Sequence, residues 1–286
     1  IVIFGPTASG KSKKAIDIAL NHKSSIINLD SMQVYKDLRI LTDRPTEVDL
    51  GKCDHILYGY LNGNEKNTAA SWLNDAVDEI KKCFLNKTLP ILVGGTGMYL
   101  NALKNGLADI PDINAATKNE TQKLFDNHGL SFLYDEIKKN YSSTKIQEND
   151  RQRIFRSYSL LKQTGKVLEQ WQFNTSPAID DIDYQILLTT TNRDELYPKA
   201  ELRVDSMFED VVIDEVNELL GKGYDDNMPI MKAIGVREIS RLLNKEIDLE
   251  ECKNIIKKNT RNYIKRQITW IKGNNITQNI DKKKYM

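Results

Sequence analysis

The run Gly5-Pro6-Thr7-Ala8-Ser9-Gly10-Lys11-Ser12 carries the clearest chemistry in this chain, because it spaces glycines, a lysine and a hydroxyl as G-x-x-x-x-G-K-[ST]. Glycines let backbone N–H groups turn inward and form an anion nest, and a helix that starts there aims its positive end at the same point. Lys11 adds a point charge, and the Ser12 hydroxyl is placed to hold Mg²⁺. An apolar run, Ile1–Phe4, precedes the loop and a helical pattern follows it, the context that separates a phosphate site from a chance glycine turn. The loop alone leaves open whether bonds break at phosphorus or at the carbon beyond a departing diphosphate.

Two further segments end apolar runs. One is Asn28-Leu29-Asp30-Ser31-Met32-Gln33-Val34-Tyr35 and the other is Gly94-Gly95-Thr96-Gly97-Met98-Tyr99. In open α/β sheets ligands collect beyond the carboxyl ends of the strands, so Asp30 and the P-loop are expected to face one crevice. There Asp30 suits a general base or a Mg²⁺ ligand; an N-cap or turn carboxylate is the alternative. Thr96 offers a hydroxyl to the crevice, with a plain strand-to-helix turn as the alternative.

The elements that must position these residues are legible as four apolar, β-branched runs: Ile1–Phe4, Ser25–Leu29, Leu89–Gly94 and Asp183–Thr189. Helical patterns follow the first three, at Lys11–Asn21, within Ala70–Leu85 and at Met98–Asn105; His55–Tyr60 is a further strand candidate. Residues 111–177 are polar, rich in Lys and Asn, and read as helices without strands, one of them at Asp150–Lys162 and ended by Gly165. One long helix is expected from Asp194 to Leu220, with Leu202, Met207, Val211, Val216 and Leu220 on its apolar face, and another over Glu250–Ile271. Lys282-Lys283-Lys284 reads as a solvated tail. The fold class is α/β, a P-loop NTPase-like parallel sheet flanked by helices, with residues 1–110 and 178–286 as the core and 111–177 as a helical insertion domain.

The 286 residues, 40% hydrophobic and 28% charged, suffice for a packed core and argue against wholesale disorder. No apolar run approaches the roughly 20 residues of a membrane span, and no charged-then-apolar leader opens the chain, so no membrane association is expected. The chain begins inside a strand, so a start a few residues upstream is expected. Cys53, Cys83 and Cys252 are scattered and odd in number, which points to a reducing cytosol rather than a disulfide framework or a cysteine zinc site. Net charge is +1 but uneven: residues 251–286 hold ten Lys and Arg against two acidic residues. Such a basic end suits an anionic partner. Its cations Lys253, Lys257, Lys258, Arg261, Lys265 and Arg266 are interleaved with Tyr263 and Trp270, a pattern that fits phosphate contacts and base stacking; an ordinary amphipathic helix with core aromatics is the alternative.

These segments together resemble the tRNA dimethylallyltransferase (isopentenyl-tRNA transferase) family. The matching motifs are GPTASGKS at Gly5–Ser12, LDSMQVY at Leu29–Tyr35, LVGGTGMYL at Leu92–Leu100, NDRQRI at Asn149–Ile154, LRVDSM at Leu202–Met207, KAIGVREI at Lys232–Ile239 and TRNYIKRQITW at Thr260–Trp270. The resemblance covers nearly the whole chain in the family's order. It implies transfer of a dimethylallyl group from dimethylallyl diphosphate to the N6 amine of the tRNA adenosine 3′ to the anticodon, with release of diphosphate. By this resemblance Asp30, Thr96, Lys11 and Arg203 are catalytic, and Gly5, Pro6, Thr7, Ala8, Ser9, Gly10, Lys11, Ser12 and Arg203 hold the diphosphate. Mg²⁺ is expected on Ser12. Contacts to the tRNA anticodon stem-loop are expected from Asp30, Ser31, Met32, Gln33 and Thr96 at the target nucleotide, and from Lys118, Asp150, Arg151, Gln152, Arg153, Arg261 and Arg266 elsewhere. A cytoplasmic, monomeric enzyme is implied.

The sequence departs from the family at Gln147-Glu148, where His-Pro is usual, at Arg156-Ser157-Tyr158-Ser159 (Arg-Ala-Leu-Glu), at Gly235-Val236 (Gly-Tyr) and at Val211 (Gly). None touches the expected chemistry, and the zinc finger of eukaryotic members is not present in the sequence, so a bacterial-type enzyme fits. The rival readings are a P-loop kinase of a small metabolite, an adenylate isopentenyltransferase and an RNA-binding module. The basic C-terminal helix and the insertion favour a macromolecular acceptor, and a binding module alone would not need Lys11 and Asp30 to converge.

Overall fold

A computed structural model describes residues 1–172, 175–179, 182–209 and 211–276. The chain divides into two compact units, Ile1–Leu103 with Ile179–Met286, and Lys104–Ala178.

The first unit is built on a five-stranded, all-parallel sheet: β1 (Val2–Phe4), β2 (Ser24–Leu29), β3 (Asp54–Ile56), β4 (Leu89–Gly94) and β5 (Ile186–Leu188), in the spatial order β3-β2-β4-β1-β5. The near-continuous apolar strands are what a sheet covered on both faces requires. Helices α1 (Lys11–Ala19), α2 (Glu47–Leu50), α3 (Ala69–Leu85) and α4 (Gly97–Asn105) connect the strands. On one face Ile3, Ile26, Ile91 and Val93 pack against Ala15, Ile16 and Ala19 of α1. Trp72 of α3 stacks on Tyr99 of α4 with ring centroids 4.1 Å apart, and its indole N–H donates to the Asn28 carbonyl.

The second unit holds α5 (Ala115–Asn140), interrupted at Gly129 (φ 80°), then α6 (Arg151–Thr164) and the single turn α7 (Leu168–Trp171). Gly165, left-handed at φ 74°, terminates α6 as its sequence signals. Leu133, Ile137, Ile146, Ile154 and Tyr158 form a core of this unit's own.

The chain then continues through α8 (Arg193–Glu209), α9 (Val212–Gly221), a 3-10 turn at Pro229–Lys232, α10 (Val236–Leu243) and α11 (Leu249–Gly273). Three expectations need correction. The single helix from Asp194 to Leu220 is two, α8 and α9, because the apolar stripe changes phase. Leu196, Ala200, Val204 and Met207 are buried in α8 and Val212, Val216 and Leu219 in α9, whereas Leu202 and Val211 are 67% and 60% exposed. The strand expected over Asp183–Thr189 is confined to Ile186–Leu188, where it pairs with β1. The candidate at His55–Tyr60 is β3, shifted to Asp54–Ile56. The Lys282–Lys284 run lies outside the described residues. Among them, no helix is long and apolar enough to cross a membrane.

Candidate active site

The strand order brings the loops that follow β1, β2 and β4 to one end of the sheet. β1 runs into Gly5–Gly10, a loop that turns through left-handed conformations at Ala8 (φ 63°) and Gly10 (φ 79°) before α1 begins. Among the described residues nothing lies within 4 Å of where a Cβ at Gly10 would sit, so its backbone angle, not space, is what calls for glycine. The Lys11 ammonium donates to the Pro6 carbonyl at 2.7 Å. Burial lowers its pKa to about 8; Asp30 and Asp43 oppose that fall and Arg203 adds to it. Ser9 is tied to Thr189, beyond β5, by a hydroxyl–hydroxyl bond of 2.6 Å. The Ser12 hydroxyl stands on the exposed first turn of α1.

β2 delivers Asp30. The fully buried Asn28 accepts the Asp30 N–H at 2.9 Å and donates to the carbonyls of Asp30 (2.9 Å) and Leu57 (3.0 Å), which fixes the backbone as it leaves the strand. One carboxylate oxygen of Asp30 accepts the Met32 N–H at 2.9 Å, so a turn role of the kind weighed against catalysis is present at that oxygen. The loop after β4 passes close by. Gly94 is pressed against β2, where a Cβ would meet the Leu29 carbonyl oxygen at 2.0 Å. Thr96 N–H donates to Leu29 O (3.3 Å), and its hydroxyl accepts the Ser31 N–H (3.0 Å). The Tyr263 phenol of α11 hydrogen-bonds Thr96; burial and the nearby Asp30 push its pKa up.

Lys11 and Asp30 therefore open onto one cavity of about 510 Å³, a volume suited to a small ligand. The P-loop from Thr7 to Ser12, then Ser31, Met32, Gln33 and Arg203, line it as well. Arg203, on α8, donates to Asp43 at 3.0 Å, and its buried Nε has no partner among the described residues, a donor left for an anion. Leu41, Val204, Met207, Ile234 and Ile256 add an apolar wall, and Lys199, Lys232 and Arg266 add positive charge.

Other predicted residues are placed differently. The Gln33 side chain is committed to the backbone, donating to the carbonyls of Thr42 (2.9 Å) and Asp43 (2.8 Å). The two aromatics of α11 expected to stack on bases are placed apart. Trp270 packs on Phe4, ring centroids 5.6 Å apart, and against Gly97. Tyr263 lines the cavity, with Arg266 5.5 Å from its ring centroid. Lys257 and Arg261 are ion-paired to Asp205 (2.7 Å) and Glu201 of α8. The reason is geometric: Ile256, Thr260, Ile264, Gln267 and Ile271 turn one face of α11 inward, and the charges beside that face bind the helix it rests on. Lys118, Asp150, Arg151, Gln152 and Arg153 belong to the second unit. There Asp150 caps α6 through the Arg153 N–H (3.1 Å) and pairs with the Arg153 guanidinium (3.5 Å), while Arg151 lies over the Phe125 ring at 4.4 Å. Lys118, Arg151, Gln152 and Arg153 are exposed.

Sequence reasoning missed Asn28, Asp43 and Gln267. The Gln267 amide oxygen accepts the Thr7 N–H (2.9 Å) and its NH₂ donates to the Gly95 carbonyl (3.1 Å), joining the P-loop to the loop that carries Thr96. Gln267 lies inside the Thr260–Trp270 motif and was available to be singled out; nothing near Asp43 in sequence marks it.

A family model for IPP transferase matches residues 33–274. The chain is 38% identical over 272 residues, 94% of its length and 87% of the relative's, to the tRNA dimethylallyltransferase of Pelagibacter ubique. Its fold is similar to the full-length tRNA isopentenylpyrophosphate transferase of Bacillus halodurans (TM-score 0.66, 30% identity, 95% of this chain and 86% of that one). It is also similar to a eukaryotic dimethylallyltransferase acting on tRNA (TM-score 0.78, 26% identity, 94% and 69%). With its parallel sheet, its P-loop and these relatives along nearly its whole length, the chain belongs to the IPP transferase family, the tRNA dimethylallyltransferases.

Proposed function

We propose that this protein transfers the dimethylallyl group of dimethylallyl diphosphate to the N6 amine of the adenosine 3′ to the anticodon of a tRNA. The observation that carries the reading is the convergence of Lys11, Arg203 and Asp30 on one cavity. Lys11, Arg203 and the backbone N–H groups of Ala8–Ser12 hold the diphosphate and stabilise the charge that grows on it as the bond from its bridging oxygen to carbon breaks. The N–H groups of Gly5 and Thr7 are spent on the Gly94 carbonyl and on Gln267, and Pro6 has none, so these three shape the loop. The apolar wall of Val204, Met207 and Ile256 takes the dimethylallyl chain. As the new C–N bond forms, the N6 proton passes to Asp30, help typically worth about 10²–10⁴-fold in rate. Thr96, held by Ser31, orients the target nucleotide or donates to the bridging oxygen. Ser31 and Met32 line the nucleotide's place, and Gln33 supports it through the turn it holds.

The donor set around Ser12 fits Mg²⁺. That ion takes one or two protein oxygens and completes its shell with phosphate oxygens and water, and the exposed Ser12 hydroxyl beside the cradle supplies such an oxygen. When bound, the ion neutralises charge on the diphosphate.

The target base must leave its stack to enter, which costs less in a single-stranded loop than in a duplex. Lys118, Arg151 and Arg153 of the second unit, with Arg266 and the exposed Lys258 and Lys265 of α11, meet the RNA backbone. Asp150 and Gln152 shape that contact at the start of α6, and Arg261 serves it through its hold on α8. The reaction takes place in the cytoplasm. The test is to incubate the protein with Mg²⁺, labelled dimethylallyl diphosphate and an anticodon stem-loop. Label retained in the RNA supports the assignment; label passed to free adenine nucleotide, or ATP consumed without RNA, overturns it.

A further inference from the structure

Glu215 of α9 grips three consecutive backbone N–H groups from across the sequence. Its carboxylate accepts from Arg39 (2.5 Å), Ile40 (2.8 Å) and Leu41 (2.9 Å). These N–H groups open a compact turn that closes on itself through Asp43 N–H to Ile40 O and Arg44 N–H to Arg39 O, both 3.0 Å, and Thr42 hydroxyl to Leu38 O at 2.6 Å. The turn therefore has the unsatisfied donors of a helix start, and Glu215 fills the place a capping carboxylate would take. α9 holds the same segment a second time at its far end, through the ion pair of Lys222 with Asp37.

At the other end of the turn stands Asp43, in the left-handed region at φ 57°, a conformation that aspartate tolerates better than most side chains and that ends the turn there. Asp43 is the carboxylate that holds Arg203, and both line the cavity.

We propose that Glu215 is a positioning residue for diphosphate capture: by fixing the turn 39–44 it places Asp43, and Asp43 aims the Arg203 guanidinium into the P-loop cavity. This rests on the diphosphate reading above. Glu215 touches no substrate; the turn it fixes also receives the Gln33 amide at the Thr42 and Asp43 carbonyls, and the inference places the effect of Glu215 on the Asp43–Arg203 pair, so that it falls chiefly on the donor rather than on the RNA.

Inorganic diphosphate binding by calorimetry and steady-state kinetics with each substrate varied test this on Glu215→Ala, Glu215→Gln, Arg203→Ala and the double variant Glu215→Ala/Arg203→Ala. Glu215→Ala is expected to weaken diphosphate and raise KM for the donor about tenfold, while KM for tRNA stays within about twofold. Glu215→Gln, which keeps an accepting oxygen, should fall between, and carries the test if Glu215→Ala does not fold. In the Arg203→Ala background the effect of Glu215→Ala on diphosphate should vanish, since residues acting as one unit are not additive. Equal losses in both backgrounds, or parallel rises in both KM values, would overturn the inference and leave the diphosphate reading standing. A wild-type protein that binds no diphosphate would sink both.

Discussion

The loop Gly5–Gly10 and the turn 38–44 both line the cavity, yet they take their shape from different distances along the chain. The loop takes its path from its neighbours, where β1 ends, two left-handed residues turn the backbone and Lys11 bonds a carbonyl five residues back, and is only braced from afar, at Ser9 by Thr189 and at Thr7 by Gln267. The turn is shaped from afar, by Glu215, 174 to 176 residues downstream, and through Asp43 it meets an arginine 160 residues away. A cradle for phosphate can be written into eight consecutive residues. The place of the cation that completes it depends on the packing of α8 and α9.

The largest effect should come from the local side. Asp30→Ala is expected to lower turnover by at least about 10²-fold while tRNA affinity changes only a few-fold; single-turnover rates and filter binding separate the two. An active Asp30→Ala enzyme would remove Asp30 as the base. Lys11→Met should lower kcat/KM for the donor by about 10²-fold, the scale of losing one donor to a developing negative charge.

A third test uses pH to tell the two cations apart. Free Lys11 loses its proton as pH rises through about 8. An anionic ligand favours the charged form, so metal-free inorganic diphosphate should bind more weakly as pH climbs above 8, by up to about tenfold per unit. Lys11→Met should show no such slope, whereas Arg203→Ala should keep it, because a guanidinium stays charged throughout. In the free protein the same group acts in the opposite sense. The unfolded lysine keeps its proton towards 10.5, so between about 8 and 10.5 the unfolded state holds more protons and this group's contribution makes stability rise with pH.

The smallest effect is one of stability. Gly10→Ala places a Cβ on a residue at φ 79° and should cost about 1 kcal/mol in denaturant unfolding. A neutral result would mean that the loop relaxes around the new Cβ and that its left-handed turn at Gly10 is not fixed by its neighbours.

What was legible in the sequence follows the same division. Val2–Phe4, Ser24–Leu29 and Leu89–Gly94 are buried on both faces and announce themselves as apolar runs, and the residues that leave their ends, Lys11, Asp30 and Thr96, inherit a common side from the parallel order. Asp43 and Glu215 carry no local pattern, because each acts on a partner more than 150 residues away. The break between α8 and α9 was hidden because Leu202 and Val211 mimic a continuous stripe that the true buried positions shift out of phase. In α11 nothing local says that Trp270 meets Phe4 while Tyr263 faces the cavity, because each is decided by the strand ends the helix packs across.

The bridge from Gln267 to the Thr7 N–H spans 260 residues, and this has a consequence for how the protein comes into being. During synthesis the glycine loop emerges well before β5, which flanks β1, and before the glutamine that steadies the loop, 260 residues further along the chain. A nascent chain that holds every motif up to Trp171 still lacks the edge of its own sheet and the last brace of its anion cradle. The cradle has its full set of braces only once α11 is in place.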